Sequence, residues 1–416
     1  MYKYYILCIS FLLSLLRLSA QQPIAVSYQQ AVQIALKQNG SIQLKKLSEE
    51  VASALQKTAY NLPKTGFNAE LGNVNTPFFD SKLTVSQSFA SPGFYKQQQQ
   101  LLQNLQKMAV TETQLQKTKV VQMVKQTYVQ LQLINKHLQL LALADSVWFK
   151  YFQLASLRYQ KGESNLLEKA TIENLYQQNK WQIQQTNSLQ TTTALQLQLL
   201  LNQQQPVVIT DTLVSFVQLT DTATNRQHPF LQLQQLHTQQ AIQQTQLFKK
   251  ELQPDWFLAA TNQSFVGWLM DKNRNERFYN MGNRFTSVQL GMNVSLFTKA
   301  QKARIAASEK NEKLAEATAN YTLTEWQTQQ KQLLEQQKNA WLQLQYFKAS
   351  ALPQAAILMQ QANSLYKNGQ ISYIEWNTAV RNSLQTEWQF AETVAHFNQL
   401  GIQLQYLLTD NASINE

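Results

Sequence analysis

RYQKGESNLLE at residues 158–168 and LYKNGQISYIE at 365–375 are two versions of one turn. Tyr159 matches Tyr366, Gly162 matches Gly369 and Glu168 matches Glu375, all at an offset of 207 (366 minus 159). In each copy a single glycine interrupts long Gln-rich stretches with helical periodicity. A sharp turn that recurs half a chain later implies a duplicated unit with this turn at its far end.

Reading outward from the turns bears this out. Phe94 to Gln160 contains neither Pro nor Gly. Val124, Leu131 and Leu138 recur every seven residues, as do Tyr128, Asn135, Ala142 and Phe149, the spacing of a coiled-coil seam. This predicts a helix over 94–160, about 100 Å long, that turns at Gly162 and returns over 165–201. Upstream, Ser27 reads as the cap of a helix that continues to about Asn61 and is stopped by Pro63. Between them lies a predicted hairpin, 66–89, in which GFNAELGNV (66–74) and KLTVSQSF (82–89) alternate apolar and polar residues. After an irregular connector (203–226) the order repeats over 227–408. A helix ends before Pro254, and strands follow at 255–266 and 285–296 within a hairpin 255–296. A long helix runs over 299–367, interrupted at Pro353, and a last helix over 371–408. The first repeat is 21–202, and 409–416 is a tail.

Composition supports long elements and few turns. The 416 residues include only 10 Gly and 8 Pro. About one residue in six is Gln, a good uncharged helix former. Apolar residues make up 44% of the chain, so the Gln-rich runs read as solvated helix faces. Residues 1–20 read as a secretory signal peptide: Lys3, an apolar run too short to span a bilayer, and a small residue at Ala20. The only cysteine, Cys8, lies inside it. The formal charge of +11 is scattered along the chain, and in an exported protein it does not point to nucleic acid.

The strands suggest a pore. Each is near the length that spans an outer membrane. An unpaired strand edge in lipid costs several kcal/mol per bare group, and four strands cannot close around a lumen. Three chains would supply twelve. The polar positions Asn68, Glu70, Thr84, Ser86, Ser88, Gln289 and Asn293 suit a wet interior.

At this point the chain resembles a known family, the TolC-like outer-membrane efflux factors. The resemblance is carried by the duplication, by AVQIALKQNGSIQ (31–43), LPKTGF (62–67), LQPDWF (252–257) and NVSLFTKAQKARIAAS (293–308), and above all by the two turns. It implies a mainly α fold with a small β part: a homotrimer combining a twelve-stranded barrel in outer-membrane lipid with a periplasmic α-helical barrel. The implied role is a passive exit duct of a tripartite efflux system in a Gram-negative bacterium, with a periplasmic adaptor and an inner-membrane pump of the resistance-nodulation-division type as partners. The more similar members accompany heavy-metal exporters. Carried over, Arg158, Tyr159, Gly162 and Glu163 at one turn, and Tyr366, Lys367, Gly369 and Gln370 at the other, form the docking tip. This chain departs from the family pattern in having Asn39-Gly40 where Asn-Pro is usual. It also has Ser295 where Pro is usual, and no Asp between Ser350 and Thr409 to form an acidic ring at the tip.

Reactive constellations are missing from the sequence. His137, His228, His237 and His396 lack metal-ligand spacing, and no phosphate loop, zincin motif or nucleophile elbow occurs. The expectation is therefore a non-enzyme with no catalytic, cofactor-binding or metal residues. The alternative is a periplasmic coiled-coil scaffold or adaptor without a pore. Metal ions, drugs and exported proteins all stay open as cargo.

Overall fold

The computed structural model describes residues 23–216, 228–270 and 272–408. The predicted signal peptide, the later part of the connector (217–226) and the tail 409–416 lie outside them. In chain order the elements are β1 (Ile24–Val26), α1 (Tyr28–Gln38), α2 (Gly40–Gln56), β2 (Gly66–Gly72), β3 (Asp80–Phe89), α3 (Pro92–Gln160), α4 (Leu166–Leu201) and β4 (Val207–Ile209). There follow α5 (Pro229–Glu251), β5 (Asp255–Ser264), β6 (Gly267–Met270), β7 (Glu276–Tyr279), β8 (Arg284–Asn293), α6 (Lys299–Tyr346), α7 (Leu352–Lys367) and α8 (Tyr373–Leu408). The order of helix, strand pair, very long helix, glycine turn and returning helix, twice over, is the one expected.

Ser27 caps α1 with a reciprocal box: its hydroxyl accepts from the Gln30 amide, and the Gln30 side chain accepts from Ser27 N–H at 3.0 Å. The expected single helix up to Asn61 is instead two. Asn39 leaves the helical region (φ −57°, ψ 126°). Its side-chain oxygen then accepts from the backbone N–H groups of Ser41 and Ile42, capping α2. The same side chain donates to the Leu200 carbonyl at 2.8 Å. An asparagine can satisfy helix-end amides without help from proline, so Gly40 can follow it at the start of α2.

The chain forms two compact units, each drawing on both repeats. One comprises 23–44, 114–216, 228 and 325–408; the other comprises 45–113 and 229–324. In the first, β1 and β4 pair in parallel. They pack with α1, α3 and α4 in a core of Val26, Ala31, Ala35, Ile42, Val124, Tyr128, Leu197 and Val207. The connector, expected to be irregular, thus supplies a strand and a strap. Asp211 accepts from the Tyr28 amide (2.7 Å) and the Tyr128 hydroxyl (2.9 Å). Buried Asn398 on α8 holds Phe216 N–H and the Val214 carbonyl. Three-residue strands bound by side chains have no periodic signature, so pattern reading passes over them.

The seam through Tyr128, Asn135, Ala142 and Phe149 does not persist: Tyr128 is buried, whereas Ala142 and Phe149 are exposed. Ile134, Leu141, Trp148 and Ala155 carry the buried seam toward the turn. While keeping α4, the helix changes its other partners along its length, from α1 and the strap to α7 and α8. Its buried face rotates accordingly.

The second repeat meets Pro353 with a π turn at Phe347–Ala351. Proline has no N–H and clashes with the preceding turn, and one extra residue relieves the clash. The consequence is visible in the seam. Upstream of the π turn, buried Trp326, Gln330, Leu333, Gln337 and Ala340 match buried Val120, Val124, Thr127, Leu131 and Ile134 at an offset of 206 (326 minus 120). Downstream, Ala355 and Ala362 match Trp148 and Ala155 at 207 (355 minus 148).

The second unit contains the antiparallel sheet β2-β3-β5-β8. The central pair β3–β5 joins the strands of the two repeats, with Val85 opposite Ala260. Strand positions fell where alternation placed them. A second hairpin, β6–β7, was not anticipated; it lies in sequence between β5 and β8. Its four-residue strands are too short for a pattern to stand out.

His228 is fully buried in the first unit, its ring 4.6 Å from that of Trp326 and 5.1 Å from that of Tyr406. Burial pushes the imidazole down to about 4 from its usual 6.5. Between these values the unfolded chain binds the extra proton and the folded chain does not. Stability is therefore full above pH 6.5 and falls as pH drops toward 4, by about 3 kcal/mol in total. Thermal melting across pH 4–7 should show this slope, and His228→Phe should flatten it.

Candidate functional site: the paired turns and the sheet

Gly162 and Gly369 have φ of 73° and 72°, a left-handed conformation that glycine adopts without strain. The bonds around them are the same in both copies. Gly162 N–H donates to the Tyr159 carbonyl (3.1 Å) and Glu163 N–H to the Arg158 carbonyl (2.8 Å). Gly369 N–H donates to the Tyr366 carbonyl (3.0 Å) and Gln370 N–H to the Leu365 carbonyl (2.9 Å). This is the Schellman closure of a helix C-terminus. Asn165 then caps α4 by accepting from Glu168 N–H (2.8 Å), and Ser372 caps the other return by accepting from Glu375 N–H (3.3 Å).

The copies diverge at their glutamates. Glu375 reaches back to its own cap, accepting from Ser372 N–H and Oγ at 2.8 Å. Glu168 instead accepts from the Tyr366 hydroxyl of the other repeat at 2.8 Å. Tyr366 is 4% exposed and stacked on Trp376, while its counterpart Tyr159 is 40% exposed with the Lys169 ammonium over its ring. Burial and the Glu168 carboxylate push the Tyr366 phenol well up, and the same two causes push Tyr373 to about 12. Asn363 accepts from both Trp376 Nε1 (2.9 Å) and the Tyr151 hydroxyl (3.2 Å). A cluster of Trp148, Tyr151, Ile172, Tyr366 and Trp376 thus joins the two repeats next to their turns.

Of the eight residues expected at the turns, Tyr159, Gly162, Glu163, Lys367, Gly369 and Gln370 are exposed, Arg158 is half-buried, and Tyr366 is an internal contact. Leu167 and Ile374, the second residue of each return helix, are 74% and 72% exposed. Sequence reasoning passed over both, although apolar side chains at matching positions of two turns were a usable signal.

In the sheet, cross-strand pairing decides which side chains share a face. Asn68 lies opposite Thr84, Gly66 opposite Ser86, Ser86 opposite Ala259, and Ala259 opposite Gln289. Ser88 lies opposite Phe257, and Asp255 opposite Asn293. All seven polar positions singled out from sequence (Asn68, Glu70, Thr84, Ser86, Ser88, Gln289 and Asn293) therefore share one face. On it Lys82 pairs with Glu70 at 3.0 Å, and the Thr84 and Thr261 hydroxyls are 3.1 Å apart. Phe257 lies over Gly291, where a Cβ would meet its ring at 2.3 Å. The opposite face presents Phe67, Leu83, Val85, Trp256, Leu258, Val288, Leu290 and Met292, all exposed. At one end this apolar face turns polar, where Arg284 donates to Ser81 Oγ and Asn262 Oδ1, both at 2.6 Å.

Among the described residues, no three His, Cys, Asp or Glu side chains are grouped to hold a metal ion. No described helix is long and apolar enough to cross a membrane.

No protein-family model and no curated protein sequence matches this chain. Solved structures do. A membrane protein from Pseudomonas aeruginosa matches with a TM-score of 0.77 at 14% identity, over 92% of this chain and 90% of that one. The Campylobacter jejuni CmeC outer membrane channel matches at 0.76 and 14%, over 93% and 88%. CusC, whose structures concern folding and transmembrane channel formation, matches at 0.74 and 15%, over 92% of each chain. The chain has the fold of these proteins. It is the mainly helical fold with a small β part that the sequence resemblance implies.

The Tyr366–Glu168 bond has no partner in the other copy. Tyr366→Phe should therefore lower stability by about 1–2 kcal/mol in thermal or denaturant unfolding. The equivalent change Tyr159→Phe should cost less than about 0.5 kcal/mol.

Proposed function

We propose that this protein is an exit duct in the outer membrane of a Gram-negative bacterium, passively conducting solute delivered by an inner-membrane pump. The observation that carries the reading is the four-stranded sheet with one polar and one exposed apolar face, whose edge strands β2 and β8 each have one strand partner among the described residues and one bare edge. In lipid, bare edges cost several kcal/mol per group, so the sheet must close. Two copies give eight strands, which side chains plug, and three give twelve with room for water. A homotrimer then turns the Asn68–Asn293 face to a wet lumen and the Phe67–Met292 face to lipid. A scaffold without a pore gives the exposed apolar face no use.

The two turns are the periplasmic tip in this reading. The six turns of a trimer present three Leu167 with Tyr159 and Glu163 of the same turn and three Ile374 with Lys367 and Gln370, an apolar contact with a polar rim suited to a periplasmic adaptor. The pump is of the resistance-nodulation-division type. Because both turns close with the same bonds, the tip offers nearly equivalent docking positions around its circumference.

The duct reading predicts a heat-sensitive trimer in the outer-membrane fraction after mild-detergent extraction; a detergent-free monomer would overturn it. Leu167→Glu with Ile374→Glu should reduce pump-dependent efflux at least tenfold while the trimer persists, since neither side chain supports the fold. Gly162→Pro, which removes the N–H bonded to Tyr159 and requires a negative φ, should likewise abolish efflux with membrane insertion intact.

A further inference from the structure

The polar face of the sheet does not stay polar to its end. Phe285 lies opposite Gln263, Gln263 opposite Lys82 and Lys82 opposite Glu70, so Phe285 shares the face of the salt bridge. Around it gather Phe265, with ring centroids 5.2 Å apart and planes at 76°, and Tyr279, at 5.6 Å and 47°. Tyr279 belongs to the β6–β7 hairpin, and Arg277 on the same strand face holds its guanidinium 5.7 Å from the Tyr279 ring centre. The three rings are splayed, and Phe285 remains exposed. Phe265 and Tyr279 are half-buried beside it, so the cluster is built into the hairpin yet leaves an aromatic face open on an otherwise hydrated surface, where a flat solute can stack.

Charge at this end is net positive. Residues 265–285 contain Lys272, Arg274, Arg277 and Arg284 against Asp271 and Glu276. Arg284 is held on the opposite face by Ser81 and Asn262. On the polar face Glu70 is neutralised by Lys82, and Asp80 is occupied by the backbone N–H groups of Val74, Asn75 and Thr76. Rings that stack, beside cations left for a ligand, suit a flat solute carrying negative charge. They offer no oxygen or sulfur cage to a metal cation, and their positive field repels one.

We propose that Phe265, Tyr279, Phe285 and Arg277 form a subsite for aromatic organic anions at the outer end of the duct, repeated three times around its mouth. This rests on the duct reading and narrows its cargo. Of the cargoes the sequence leaves open, such solutes are favoured and bare heavy-metal cations are not.

The test is single-channel recording of the full mature trimer in a planar bilayer, with 1-naphthalenesulfonate added to the loop side. Submillimolar probe should interrupt the wild-type current, and the same concentration of zinc chloride should not. A potassium chloride gradient should give a chloride-preferring reversal potential. Tyr279→Ser with Phe285→Ser should weaken the block at least tenfold. Arg277→Gln, on an exposed hairpin where folding is not at issue, should shift the reversal potential toward potassium. A conducting channel that ignores the sulfonate, or is blocked equally in the double variant, overturns the subsite and leaves the duct standing. Inserted trimers that pass no current overturn the duct, and the subsite with it.

Discussion

A strand edge facing hydrocarbon cannot be left bare, and this requirement organises the rest of the chain. Four strands with a polar and an apolar face are stable neither in water, where the apolar face is exposed, nor alone in lipid, where β2 and β8 each leave one edge bare. In the proposed homotrimer, pooling strands among subunits resolves both problems together. The helices of that trimer would surround a hollow centre, which asks for polar residues on two sides of a thin wall. The abundance of Gln follows: it keeps helical propensity high while adding no charge to a surface that has to stay close to its neighbours.

The same requirement explains the economy of the turns. Long helices that return on themselves need only one left-handed residue per reversal, and Gly162 and Gly369 supply it with matching hydrogen bonds. What the two copies no longer share is how they are tied. Glu168 has left its own helix cap for Tyr366, while Glu375 has kept the cap. Duplicated geometry with diverged fastening lets one hairpin pack inward on the aromatic cluster while its twin leaves Tyr159 outside.

Much of this was readable beforehand because it is periodic. Seven-residue seams, two-residue alternation and an isolated glycine are all repeating or punctuating signals, and they placed the long helices, the four strands and both turns within a few residues. The seven polar sheet residues fell on one face because strand period fixes parity once pairing is antiparallel. What escaped was fixed by single side chains or by distant partners. Asn39 breaks a helix through its own amide, the strap is held by Asp211 and Asn398, and β6–β7 is too short to alternate. The seam through Phe149 was misread because helix partners change beyond Asn135, which no local pattern records. Leu167 and Ile374 were passed over because an exposed leucine is ordinary until its twin is seen at the same height.

The π turn at Phe347–Ala351 shows which property of the duplication has been retained. The two halves have equal residue counts between Pro92 and Gly162 and between Lys299 and Gly369, yet their buried positions correspond at 206 above that turn and at 207 below it. Inheritance here acts on which side of a helix looks inward, and chain length is adjusted locally to preserve it. Any transfer of a substitution from one half to the other has to change its arithmetic at Phe347, or it will land on the wrong side of the wall.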